Sequence, residues 1–285
     1  MRFRPLVLAS LLALSPAIPA FAEALASPAA GGTEIVSLSE TMKIGPLLEV
    51  LRLEGQAYGT TLHVSMFPDD RGTGWARSVD AIYDVARLRR TFDTAISAEL
   101  SADPAAVAEI VAFFGSERGQ RIVTLELEAR RTLLDIAAKE AAQVAADKMT
   151  AAHDPRIALI TRLIEAGDLI EMNVAGALSG NLAFMRGMQQ EGIYGDQMTE
   201  GQMLSDVWGQ EEQIRADTLA WLYPYLALAY QPLQDADLQA YIAFSETPAG
   251  KKLNAALFTA FDKVFQQVSY DLGRAAGRRI LGHDI

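Results

Sequence analysis

The chain has 285 residues, half of them hydrophobic, with 25 basic residues against 36 acidic ones and a net charge of −11. Repulsion of that sign works against nucleic acid or an anionic lipid surface as a partner. The absence of cysteine excludes disulfides and a lipid anchor attached through cysteine, so any fold must rest on its core alone.

Arg2 and Arg4 form a positive start, residues 6–18 an apolar stretch, and Ala20-Phe21-Ala22 a small-residue cleavage pattern. Residues 1–22 are therefore expected to be a signal peptide, with Glu23 as the mature start and the periplasm of a Gram-negative bacterium as the destination. Pro16 and Pro19 interrupt the stretch, which is short for a bilayer span. Removing it takes away Arg2 and Arg4 and leaves 263 residues with 23 basic against 36 acidic, a net charge of −13. No other segment has transmembrane length, and the mature chain is expected not to span a membrane. Residues 23–41 read as a flexible leader, since 24–33 are rich in Ala, Gly, Ser and Pro.

From there the apolar residues recur at steps of three and four, which predicts an all-α chain of about eight helices. Leu48, Leu51, Gly55, Tyr58, Leu62 and Met66 mark the first, ended by the Pro- and Gly-bearing run 67–74. Helices are predicted at 75–100, 104–114 and 117–148. After His153-Asp154-Pro155 the pattern restarts with a long helix through Ile160, Leu163, Gly167, Ile170, Val174, Leu178, Met185 and Met188, one turn being skipped. A Gly-containing loop at 191–198 follows. Thr199 and Gln202 have capping-box spacing and open a helix reaching about Leu222, where Pro224 should kink or end it. Helices at 236–246 and 248–280 complete the chain.

The restart has the form of a repeat. At an offset of 131, Phe113 aligns with Phe244, Gly119 with Gly250, and Ile122 with Leu253; at 112, Leu48, Leu51 and Gly55 align with Ile160, Leu163 and Gly167. Two tandem copies are expected, 42–150 and 154–281, in a pseudo-two-fold arrangement and packed as one globular unit. The second copy carries an insertion of about 19 residues, the difference between the two offsets. The shared signature comprises Phe113, Ser116 and Gly119 in one copy, and Phe244, Thr247, Pro248 and Gly250 in the other. Ser116 and Thr247 can cap the new helix, and Glu117 and Pro248 suit its first position. Glycine early in a helix costs about 1 kcal/mol relative to alanine. Its presence in both copies predicts a close contact with the preceding phenylalanine ring, with alanine tolerated better than leucine.

These residues carry a resemblance. The string AYIAFSETPAGKKLNAAL, residues 240–257, resembles the helical hairpin of domain of unknown function 2059, a family of exported bacterial proteins. Phe244, Thr247, Pro248, Ala249, Gly250 and Lys251 match its pattern position by position. EIVAFFGSERGQRI, residues 109–122, is a weaker match, with Glu117 and Arg118 where Pro and Ala would stand. The resemblance implies fold and export, and it brings no activity, ligand or catalytic residue.

The residues themselves supply no cofactor, metal or catalytic motif. His63, His153 and His283 lie far apart, with no metal-ligand spacing. Glu211 and Glu212 read as a solvated helix face. Gly176-Ala177-Leu178-Ser179-Gly180 lacks the setting of a nucleophile elbow, and its glycines read as places where helices approach. Arg274, Arg278 and Arg279 complement a helix C-terminus. Methionine is common on adaptable binding surfaces, and Met172, Met185, Met188, Met198 and Met203 gather in the inserted region. The expectation is a non-enzymatic protein binding an apolar or amphipathic partner in a groove between helices. The partner would be an unfolded envelope protein segment, a lipid or a second copy as a homo-oligomer. His63 stands near Asp69 and Asp70, an arrangement that an acid/base site could use. The alternatives are a hydrolase whose site is assembled from His63 and carboxylates distant in sequence, and a structural oligomer without a ligand.

Overall fold

The structure, a computed structural model, describes residues 37–68, 74–195 and 198–282; the expected signal peptide and most of the leader lie outside them. Among these residues all regular structure is helical. The helices are α1 Ile44–Met66, α2 Gly74–Ile82, α3 Val85–Leu100, α4 Pro104–Gly115, α5 Glu117–Thr132, α6 Ile136–Ala151, α7 Pro155–Ala166, α8 Leu169–Gln190, α9 Glu200–Trp208, α10 Glu211–Tyr230, α11 Asp235–Ser245 and α12 Pro248–Ile280. The fold is all-α.

Four stretches predicted as single helices are each divided in two. Apolar spacing continues across the breaks, but capping chemistry interrupts the backbone ladder. The Asp84 carboxylate accepts from the Arg87 amide, and that of Asp135 from the Ala138 amide, each starting a new helix. Between α7 and α8 the chain turns through Asp168 at φ 43°, and between α9 and α10 it passes Gly209 and Gln210. Pro224 neither ends nor replaces its helix: it sits buried inside α10, which continues to Tyr230. The Thr199–Gln202 capping box is formed in both directions.

Helix α12 is the axis of the fold. Its 33 residues span about 50 Å at 1.5 Å per residue. It packs most extensively on α8, with α3, α4, α2 and α11 on its other sides. A helix enclosed this way must be apolar around most of its circumference, as its run of Leu, Ala, Phe and Val requires. Across it, Phe92 of α3 meets Phe261 with ring centroids 4.9 Å apart. Helix α10 is the second hub, contacting α5, α6, α8 and α7. At its C-terminus Arg156 of α7 donates to the carbonyls of Tyr230, Gln231 and Leu233 and pairs with Asp235. A cation there satisfies the carbonyls a helix end leaves open.

Candidate functional site

The α8–α12 contact decides where space opens. The two helices run in the same direction: Gly180 lies beside Ser269, Gly187 beside Tyr270 and Arg274, and Glu191 beside Gly277. A Cβ on Gly187 would overlap the Tyr270 carbonyl oxygen, and one on Gly273 that of Phe184. Only glycine allows backbones this close. Two turns back the fit loosens, with a Cβ on Gly180 3.3 Å from Ser269 Oγ. One turn further, at Gly176, nothing lies within 4 Å. The glycines thus act as the sequence suggested at Gly180, whereas Gly176 stands at an opening.

Two grooves flank Gly176. One, of about 280 Å³, has Met172, Phe258 and Phe265 among its walls. The other, much narrower at about 30 Å³, is lined by Tyr58, Phe184, Met185 and Leu272 together with the Asn181 and Gln210 side chains, which hydrogen-bond to each other at 3.1 Å. Burial pushes the Tyr58 phenol up to about 12, so it remains a neutral donor. The first groove has a polar corner. Gln266 Nε2 donates to Ser179 Oγ at 2.7 Å and to Asp262 Oδ2 at 2.5 Å. Desolvation raises the Asp262 pKa, and hydrogen bonds from Ser179 and Gln266 and the charge of Lys263 oppose the rise.

The five methionines do not act together. Met172 and Met185 reach the two grooves from opposite sides of Gly176. Met188 and Met203 are buried in the core and line neither groove; the reading of all five as one binding surface is corrected here. Met198 is half-buried, and its carbonyl accepts from Gln189. Helical phase separates them: on α8, Met188 falls on the core-facing stripe with Phe184.

The signature residues build a helix junction. Ser116 Oγ accepts from the Gly119 amide at 3.1 Å and donates to the Phe113 carbonyl at 2.6 Å. Thr247 Oγ1 accepts from the Gly250 amide at 3.0 Å and donates to the Phe244 carbonyl at 2.7 Å. Pro248 opens α12 at its first turn. The close contact of both glycines is with backbone, and the expectation of a ring contact is corrected. A Cβ on Gly119 would overlap the Phe113 carbonyl oxygen and lie 2.5 Å from Phe114 Cα; one on Gly250 would overlap the Phe244 carbonyl oxygen and lie 2.9 Å from Ser245 Cα. The rings turn away and stack on each other, Phe113 on Phe244, with centroids 4.1 Å apart and planes 12° apart.

His63 packs with Phe67 and Trp75, at centroid distances of 5.9 and 6.4 Å. Asp69, Asp70 and His283 lie outside the described residues. Among the described residues no three of His, Asp and Glu are grouped to hold a metal ion, and no helix is long and apolar enough to cross a membrane. Glu211 pairs with Arg215, whereas Glu212 is exposed. Arg274 and Arg278 both pair with Glu191.

A buried polar cluster went unread in the sequence. Glu126 of α5, 2% exposed, accepts from the Tyr230 hydroxyl at 2.6 Å, and its own carbonyl accepts from Tyr225 at 3.2 Å. Burial pushes its carboxyl up to about 8, against hydrogen bonds from Tyr230 and Tyr241 that pull it down. One turn on, Arg130 holds Glu54 through two hydrogen bonds of 2.8 Å, with its guanidinium 5.8 Å from the Trp221 ring centroid. In the sequence these acids and bases look like an ordinary solvated face, because their partners lie about a hundred residues away.

Residues 86–147, α3 through most of α6, match the model of a family described as an uncharacterized protein conserved in bacteria (DUF2059). The match covers one copy of the suspected motif, the one around Phe113, Ser116 and Gly119. No curated protein and no solved structure matches the chain.

Proposed function

We propose that the protein is a non-enzymatic binder of an apolar or amphipathic partner, held between α8 and α12 on either side of Gly176. The carrying observation is the opening itself: the helices touch backbone to backbone at Gly187 and Gly273 and part at Gly176, which has nothing within 4 Å of its Cβ position. Apolar side chains, including Met172 and Met185, line the space on both sides. Burial of apolar surface, worth about 25 cal/mol per Å² before ordering costs, would supply the affinity. Export to the periplasm belongs to the same proposal and rests on Arg2, Arg4 and the Ala20-Phe21-Ala22 pattern.

The scaffold is proposed to be two tandem copies of one helical unit. Supporting this, positions 131 residues apart stack on each other at Phe113 and Phe244, as equivalent residues do on a two-fold axis. The caps Ser116 and Thr247 and the contacts of Gly119 and Gly250 agree in kind. On this reading the grooves belong to the lengthened α8 of the second copy.

Gly176→Leu tests the function, because nothing lies within 4 Å of a Cβ there and the longer side chain extends into the opening. Exported wild-type protein, starting at Glu23 by intact mass, should bind an uncharged hydrophobic fluorophore. The variant should keep its circular dichroism spectrum, melt no lower than wild type since leucine replaces a helical glycine, and lose binding about ten-fold or more, the loss of some 1.4 kcal/mol. Equal affinity in a folded variant would remove the groove from consideration.

A further inference from the structure

Resting on that binding role, we infer that the groove beside Met172 takes a small amphiphile whose apolar body ends in a protonated amine. The walls are apolar and partly aromatic, through Met172, Phe258 and Phe265, and Asp262 is the charged residue of the lining. Its carboxylate is held in place by two groups: Gln266 donates to Oδ2 at 2.5 Å, and Ser179, itself accepting from Gln266, donates to the same carboxylate. An ionised carboxylate offers about four acceptor sites, so two such bonds leave room for a further donor from a ligand. Lys263, the next residue on α12, is exposed and does not line the groove. A carboxylate in a half-desolvated apolar corner repels an anionic head, gains nothing from an apolar one, and pairs with an ammonium. A volume of about 280 Å³ is at the lower edge of the range of small-molecule sites, which suits a small amphiphile.

Three probes with one tail separate the head group from the groove: octylamine, octanol and octanoate at pH 7 in 0.15 M salt, each below its micelle concentration. Titration calorimetry of wild type should show octylamine binding about ten-fold tighter than octanol, and octanoate weakest, as a partly buried charge-assisted pair requires. Asp262→Asn should bring octylamine close to octanol and leave octanol unchanged. Glu99→Gln, an exposed acid on α3, should change nothing, which separates the local pair from net charge. A photoreactive alkylamine on wild type should label residues around 172–179 and 258–265, a readout that needs no variant. If octylamine and octanol bind equally, or the preference survives in Asp262→Asn, the amine assignment falls while the groove stands. Labelling around Tyr58 and Met185 instead sinks the amine assignment and leaves the binding role. If no probe binds, if labelling falls outside both grooves, or if Gly176→Leu binds all three as before, both fall.

Discussion

Glu126 shows how far a residue's behaviour can depart from its type. The unfolded chain releases its proton near 4.5, whereas in the fold the carboxyl keeps it to about 8. Between those values the folded state binds more protons, so stability falls as pH rises, by up to about 1.4 kcal/mol per unit for one group. The contribution is whole below 4.5 and gone above about 8. The groups facing Glu126 are the phenols of Tyr225, Tyr230 and Tyr241, themselves pushed up chiefly by burial, with Arg130 one turn away on the same helix. Glu126→Gln keeps the shape and removes the titration. Melting temperatures of wild type should therefore drop between about pH 4.5 and 8 relative to the variant and run parallel above that. Parallel pH profiles for the two proteins within that window as well would show that the carboxyl is not shifted.

At the scale of elements, glycine positions in helices divide by what surrounds them. Gly250 faces the Phe244 carbonyl, and Gly187 faces that of Tyr270, so one methyl group suffices to force backbones apart. Overpacking of this kind costs about 1–3 kcal/mol. Gly250→Ala and Gly187→Ala should each destabilise by that order, so at the signature glycine the gain in helix propensity expected for alanine is outweighed by the backbone contact. Gly176→Ala meets nothing and should stabilise by up to about 1 kcal/mol through helix propensity. Chemical denaturation of the three variants measures this directly. A stabilised Gly250→Ala would mean that the junction can relax, and that glycine is not required there.

At the scale of the molecule, the two halves are interlocked. Helix α12 finds its neighbours α3, α4 and α2 in the first half, and α10 finds α5 and α6 there as well. Each half by itself would expose the apolar faces these contacts cover, which neither could bury alone. Separation at the turn through His153, φ 51°, gives fragments 37–152 and 153–282. Expressed singly, neither should show a cooperative melt; coexpressed, they should copurify in equal amounts. A cooperative melt of either fragment alone would mean that the halves are independent domains.

Helical class, and the limits of α4, α11 and α12 to within a residue or so, were legible in the chain because they rest on local causes: apolar spacing, and Ser116 or Thr247 placed before a helix start. The breaks at Asp84 and Asp135 were equally local, but continuous apolar spacing masked the caps. What only the tertiary structure decided involves partners distant in sequence. Met172 and Met185 reach open space while Met188 on the same helix is enclosed, because the α8–α12 crossing at Gly187 and Gly273 sets the rotation of α8. Gly176 and Gly180 look alike in the sequence, yet a Cβ would meet nothing at the first and Ser269 of the neighbouring helix at the second. Likewise Glu126 is an acid on a polar-looking helix until Tyr230 and Tyr241 arrive from the second half and remove it from water. Periodicity along one helix determines which residues share a face; the distance to the next helix, set by small residues far away in the chain, determines whether that face is core, contact or opening.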